Sequence, residues 1–368
     1  MINEKRIVDE FRELVAIDSP SYGERAMADR LKEKLTALGF TVSEDDAGAH
    51  YKGNAGNLYG FLKGTLSGEP LLFSSHMDTV EPSCGKKAVL REDGRITSAG
   101  DTVLGSDDLA GIVEILEAVR HLQEEGILHR DIEILFPIAE EVFCKGAAVA
   151  DYTKIRAKEA YVLDISGAPG AASLQEPTHI SFDITITGRA AHAGFNPEDG
   201  VHAIAAAARA IAKTAQGRID AETTVNLGVI EGGRATNIVP AHCTVKGEIR
   251  CYSHERAEKL FAEIQQTFKE QAQGAEVSFT HATNLIAYKV PEDHPVVTRF
   301  LDACGTLGLP GTLTRTLGGS DNNHFLRNGI TGIVLSCGMN DVHSVTEWTS
   351  VSQLTQGAAL VAELMRRG

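Results

Sequence analysis

Two of the chain's adjacent acid pairs stand where an apolar run gives way to a turn or helix. Asp107 and Asp108 adjoin in LGSDDLAG, and Glu140 and Glu141 adjoin in LFPIAEEV. A helix start needs one acid for its cap, so the second aspartate is left over. A carboxylate with two oxygens can bridge two metal ions. The glutamate pair could be a charged loop. The functional alternative divides the work: one glutamate ligates a metal and the other takes a proton from the attacking water. In LLFSSHMDTV, His76 and Asp78 are two apart and face one side of an extended chain. A histidine there can bind a metal while the carboxylate orients it, although a strand end with a solvated turn accounts for the same residues. Asp164, in YVLDIS, follows an apolar run and would be costly to bury unpaired. His343 sits in DVHSVTEW, where a lone loop histidine has no obligatory role. No segment decides the matter alone. Together, His76, Asp107, Glu141, Asp164 and His343 make a nitrogen and oxygen set suited to two metals roughly 3.5–4 Å apart. There is no thiolate pair of the kind a structural zinc site uses.

These residues need elements to carry them. Ile7, Phe11, Leu14 and Val15 have helical spacing within residues 4–16. Ser21, three residues before Glu24, reads as a capping box opening a helix through Leu38. Strands are expected at 57–62, 70–75, 131–138 and 160–165, with a helix at 107–123 between them. Each chemical segment then falls just past a strand, where open α/β sheets build their sites. From Glu176 the pattern changes. Residues 179–187 alternate, with Ile180, Phe182, Ile184 and Ile186 on one side. An alanine-rich helix (199–215), strands at 224–230 and 241–251, a helix (255–271) and a strand (276–284) follow. That β-α-β-β-α-β order is a two-layer unit of ferredoxin-like type. A helix at 294–307 and a strand at 332–336 resume the α/β pattern. The fold class is therefore α/β, a mostly parallel sheet with helices on both faces. It spans 1–176 and 287–368, with an inserted two-layer α+β lid at 177–286.

Bulk properties narrow the function. The chain has 368 residues, 35 basic and 50 acidic, for a formal charge of −15. That balance lacks the electrostatic footprint of a nucleic-acid binder, and one tryptophan gives no stacking platform. No apolar run is long enough to span a bilayer. The six cysteines form no C-x-x-C pair and read as reduced. The charged, helical MINEKRIVDEFREL does not read as a signal peptide, which makes the cytoplasm the expected address.

With SSHMDTVEP, LGSDDLAGI and IAEEV in view, the chain resembles the co-catalytic zinc metallopeptidases that include peptidase T, glutamate carboxypeptidase and aminoacylase. It is most similar to the peptidase T-like branch, over essentially its whole length. The resemblance implies two divalent ions, zinc with cobalt or manganese as alternatives. It places His76 and Asp164 on one ion, Glu141 and His343 on the other, and Asp107 between them. It makes Asp78 the orienter of His76 and Glu140 the general base, and it implies a cis peptide between Asp107 and Asp108. In the lid, RAAHAG, ATNIVP and EIRC match positions that support the oxyanion (His192) and bind substrate (Asn237, Arg250). GGSDNNHF matches the glycine loop of the pocket, Gly318 and Gly319. The implied activity is hydrolysis of peptide bonds, as an aminopeptidase on short peptides such as tripeptides. The implied assembly is a homodimer formed through the lid, with His192 serving the partner's site. A deacylase of N-acyl amino acids, or a silent metal-binding protein, would use the same ligands. After Asp164 the chain reads Ile-Ser-Gly-Ala-Pro, a departure from peptidase T, so the resemblance does not extend to strict tripeptide specificity.

Overall fold

The computed structural model describes residues 1–367. It divides into two compact units. The larger comprises Met1–Leu174, Lys289–Arg315 and the chain from Ser320 onward; the smaller is Gln175–Tyr288 with Thr316–Gly319.

The larger unit is built on an eight-stranded sheet. Its centre is parallel: Ile132–Phe136, Leu71–Ser74, Glu159–Ile165 and Thr331–Ser336 lie side by side in that order. Their near-continuous apolar runs are what a strand covered on both faces requires. Leu58–Leu62 and then Thr41–Glu44 extend one edge antiparallel. Ala171–Ser173 pairs antiparallel with Thr331–Ser336 at the other side and carries Thr312–Thr314 beside it.

Alternation along the strands feeds two cores. Leu72, Ala160, Val162 and Val334 pack with Ala147 and Phe325 on one face. On the opposite face a Cβ on Gly111 would come within 2.7 Å of Leu163 Cβ, so the helix Ser106–Glu124 lies directly on that strand. The Tyr161 hydroxyl, on that same face, donates to the Val296 carbonyl (3.1 Å) in Pro295–Leu307. Helices thus cover both faces. The C-terminal helix Val351–Arg366, which the periodicity reading left out, packs against Ser106–Glu124.

The expected capping box does not form. The helix is Arg25–Ala37, and Glu24 precedes it without a side-chain cap bond. The Ser21 hydroxyl donates instead to Asp78 Oδ2 at 2.6 Å. Glu24 Oε1 accepts the amides of Tyr22 and Ala139 at 2.8 and 3.0 Å. A local helix signal was outbid by two long-range anchoring roles.

The smaller unit is a five-stranded antiparallel sheet with two helices on one face. Its strand order is Gly217–Asp220, Thr223–Gly232, His242–Cys251, Thr178–Thr187, Glu276–Leu285. Ile180, Phe182, Ile184 and Ile186 face the helices Ala203–Lys213 and His254–Glu270, with Phe182 and Phe261 ring centres 5.2 Å apart. The short strand Gly217–Asp220 adds a fifth strand to the four read from the pattern.

Candidate metal centre

Three of the parallel strands end at the same place, and the chemistry begins there. His76 follows Leu71–Ser74, Glu140 and Glu141 follow Ile132–Phe136, and Asp164 lies near the end of Glu159–Ile165. Asp107 enters at the start of Ser106–Glu124, in non-helical backbone (φ −84°, ψ 102°), and its peptide bond to Asp108 is cis. His343 arrives from the loop beyond Thr331–Ser336 with φ +59°.

The side chains converge. His76 Nε2 is 3.1 Å from Asp107 Oδ1 and 3.9 Å from both Glu140 Oε2 and Asp164 Oδ1. His343 Nε2 meets Asp107 Oδ2 at 3.1 Å and Glu141 Oε2 at 3.0 Å. Asp107 therefore presents one oxygen to each histidine. The two adjacent glutamates diverge: Glu140 gathers with His76 and Asp164, and Glu141 with His76 and Asp107. Glu140 differs from a simple ligand in one respect. Its Oε1 accepts the thiol of buried Cys144 at 3.1 Å.

A ring of buried acids supports the centre from behind. His76 Nδ1 lies 2.9 Å from the Asp78 main-chain carbonyl and 3.4 Å from the Asp78 carboxylate. That carboxylate accepts the amides of Glu140 (2.9 Å) and Glu141 (3.2 Å). Asn57 Oδ1 accepts the Ile138 amide (3.1 Å) and Glu24 the Ala139 amide (3.0 Å), where the backbone turns through φ +52°. Four consecutive amides are thus fixed by side chains, which aims both glutamates. Asp108 turns away from the cluster, and its Oδ2 accepts the His76 amide at 3.2 Å. Asn57 and Cys144 had no signal in spacing or type, and that of Ser21 and Glu24 pointed to a helix cap; only the fold brings them here.

The electrostatics are those of a site dense in buried carboxylates. Burial pushes Glu140 and Asp164 well above the usual carboxylate range, and burial together with Asp107 lifts Glu141 to about 7. Hydrogen bonds with Asp107 and Glu141 raise His343 to about 10. Burial opposes protonation of His76, but Asp107 and Asp78 outweigh it and hold its pKa well above the ordinary value. Burial likewise opposes ionisation of Asp107, yet the two histidines keep it below its ordinary value. The donor set of imidazole nitrogens and carboxylate oxygens suits zinc and its neighbours. Glu141 Oε1 is also buried with no hydrogen-bond partner. The residues fit divalent cations.

The candidate residues of the smaller unit form two further groupings, described within that unit. His192 forms a bridge with Ile238, and the Asn237 carbonyl accepts the Ala193 amide at 3.0 Å. The exposed His192 ring stacks on Phe195, centres 4.2 Å apart, and its Nδ1 accepts the amides of Gly194 and Phe195. That leaves Nε2 to carry the proton and act as donor. Arg250 is held by Glu248 through Nε (3.0 Å) and reaches the Leu317 carbonyl (3.1 Å), next to Gly318 and Gly319.

Comparison with known proteins agrees with this architecture. A peptidase dimerisation domain matches residues 175–276, and peptidase family M28 matches residues 57–223. Carboxypeptidase G2 of Pseudomonas is 30% identical over 81% of this chain and 72% of its own. The crystal structure of a Staphylococcus aureus tripeptidase superposes with TM-score 0.96 at 33% identity, covering 100% of this chain and 98% of that one. Aminopeptidase PepT of Bacillus cereus superposes with TM-score 0.92 at 38% identity, covering 99% and 98%. This chain belongs to the M20 family of metallopeptidases. Membership makes it a hydrolase of a family that binds a dinuclear metal centre.

Raised pKa values in this M20 centre imply that cations displace protons on loading. Glu140, Asp164 and Glu141 have raised pKa values, and so do both histidines. Titration of the stripped protein with zinc at pH 7, in buffers of different ionisation enthalpy, is expected to show net proton release. Affinity is expected to rise with pH between 6 and 8. A proton count of zero with pH-independent affinity would contradict this electrostatic picture.

Proposed function

We propose that the chain is a two-metal aminopeptidase acting on short peptides such as tripeptides. The observation that carries this reading is the divergence of the adjacent glutamates. Glu141 faces Asp107 and His343, while Glu140 lies by His76 and Asp164 with one oxygen tied to Cys144. A site that only stored metal would have no use for a second acid held apart in this way.

In this reading His76 and Asp164 would hold one ion and Glu141 and His343 the other, with Asp107 available to both. Zinc is the leading candidate for both, with cobalt or manganese as alternatives. Bound ions would supply Lewis acidity, lowering the pKa of water toward about 7 and polarising the scissile carbonyl. Glu140 takes the proton of the attacking water and delivers it to the leaving amine. Burial raises its pKa and so favours the neutral form in which it hands the proton on. Asp78 and Glu24 keep its backbone still by holding the amides on either side. His192, with its Nε2 proton outward, is a donor for the oxyanion, and Asn237 and Arg250 recognise the substrate's polar groups. The similarity to a tripeptidase and an aminopeptidase over nearly the full chain supports the substrate class. Six unpaired cysteines, five of them buried, fit a reducing cytoplasm. The dimerisation-domain match at 175–276 supports a homodimer paired through the smaller unit.

The base and the ligand are separable by experiment. Glu140→Gln should keep two metals per chain and lose about 10²- to 10⁴-fold in kcat, whereas Glu141→Gln should lose one metal. Equal metal loss in both would overturn the assignment. On a panel of di- and tripeptides, those with a free amino terminus should be cleaved and their N-acetylated forms spared; the reverse preference would make the chain a deacylase.

If His192 serves the partner's site, inactive Glu140→Ala and weakened His192→Ala chains should complement after subunit exchange, because one site in each heterodimer is intact. No recovery in demonstrated heterodimers would confine His192 to its own chain.

A further inference from the structure

Glu347 belongs to neither group of side chains that could hold a metal, yet it is only 1% exposed. Its carboxylate is fully engaged. Oε2 accepts the amides of Leu104 at 2.7 Å and Gly105 at 2.8 Å. Oε1 accepts the Ser106 hydroxyl at 2.7 Å and the Asp107 amide at 2.9 Å. The donors belong to consecutive residues and end at the aspartate that lies between the two histidines.

This stretch cannot hold itself. The first amides of a helix have no partner within it. Asp107 and Asp108 are non-helical in addition, and Gly105 sits at φ +78°. A side chain on Gly105 would meet Thr79 at 3.1 Å and Lys86 at 3.2 Å, so both side chains pack closely against the glycine. Glu347 supplies the acceptors that the backbone lacks. Charge-assisted bonds of this kind are stronger than neutral ones.

The position of Glu347 in sequence adds a second consequence. It lies four residues after His343, whose Nε2 is 3.1 Å from Asp107 Oδ2. The 104–107 stretch and the 343–347 loop are therefore fastened twice. Glu347 grips the backbone and His343 meets the side chain.

We propose that Glu347 is a positioning residue: it locks the two loops in register so that the Asp107 carboxylate is aimed between His76 and His343 before any ion binds. Its buried side chain makes no claim on substrate. The proposal rests on Asp107 being a metal ligand, and the test separates the two ideas.

Glu347→Gln is nearly isosteric but brings an amide donor against backbone donors, so one side of the clamp loses its acceptor. In the metal-free chain, hydrogen exchange at Leu104, Gly105 and Asp107 should accelerate at least about tenfold, while the strand Ile132–Phe136 keeps its protection. In zinc titrations one of the two ions should bind about 10- to 100-fold more weakly, the usual effect of losing an outer support. With zinc in excess, kcat should recover toward wild type at unchanged KM. Ser106→Ala removes a single bond and should shift exchange and affinity the same way by less, which keeps the test alive if the glutamine variant folds poorly. Unchanged exchange at those amides in both variants overturns the clamp. Faster exchange with both ions binding as in wild type overturns its link to the metals. A wild-type chain that binds fewer than two ions refutes the dinuclear reading and the metal half of this proposal, while the exchange rates still decide the clamp.

Discussion

Mutual repulsion among buried carboxylates is the constraint on which this structure turns. Asp78, Asp107, Asp108, Glu140 and Asp321 are all at most 9% exposed, and Glu141 and Asp164 stand beside them. Charges so placed are tolerable only when neutralised, by protons or by cations. Burial raises the pKa values of Glu140, Asp164 and Glu141, the direction in which the first solution acts. Divalent ions are the second, and they convert a liability of the fold into its function. Two histidines alone do not balance the set, and two groups of these side chains could each hold an ion.

The parallel sheet brings the acids together, but it does not aim them. Aim comes from side chains that take backbone amides. Asn57, Glu24 and Asp78 hold residues 138–141, and Glu347 holds 104–107. Both acid pairs thus sit on irregular backbone where helical or sheet bonds are missing, and in both places buried acceptors replace them. This arrangement lets a ligand point in a direction that no regular element would give it.

Much of this was legible in the sequence because apolar runs and acid pairs are local signals. Leu71–Ser74, Ile132–Phe136 and Glu159–Ile165 are short apolar strands with chemistry at their ends, and the change of periodicity near Glu176 marks a different kind of sheet. His76, Asp107, Glu140, Glu141, Asp164 and His343, which those signals single out, lie close together in the fold. Illegible residues are those whose role depends on distant partners. Ser21 and Glu24 imitate a capping box, yet one bonds Asp78 and the other Ala139. Cys144 looks like an ordinary core thiol until it meets Glu140. Glu347 looks like a loop acid, although its four partners lie some 240 residues away along the chain. The short strands Ala171–Ser173 and Thr312–Thr314 escaped because three residues carry no period to read.

The central claim is that these carboxylates and imidazoles form one dinuclear centre. Anomalous diffraction from crystals grown with zinc, collected on both sides of the zinc edge, tests it most directly. The account predicts two zinc peaks per chain. One should be coordinated by His76 and Asp164 and the other by Glu141 and His343, with Asp107 within about 2.0–2.2 Å of both and Glu140 bound to neither. A single peak, or peaks that leave Asp107 uncoordinated, would contradict it.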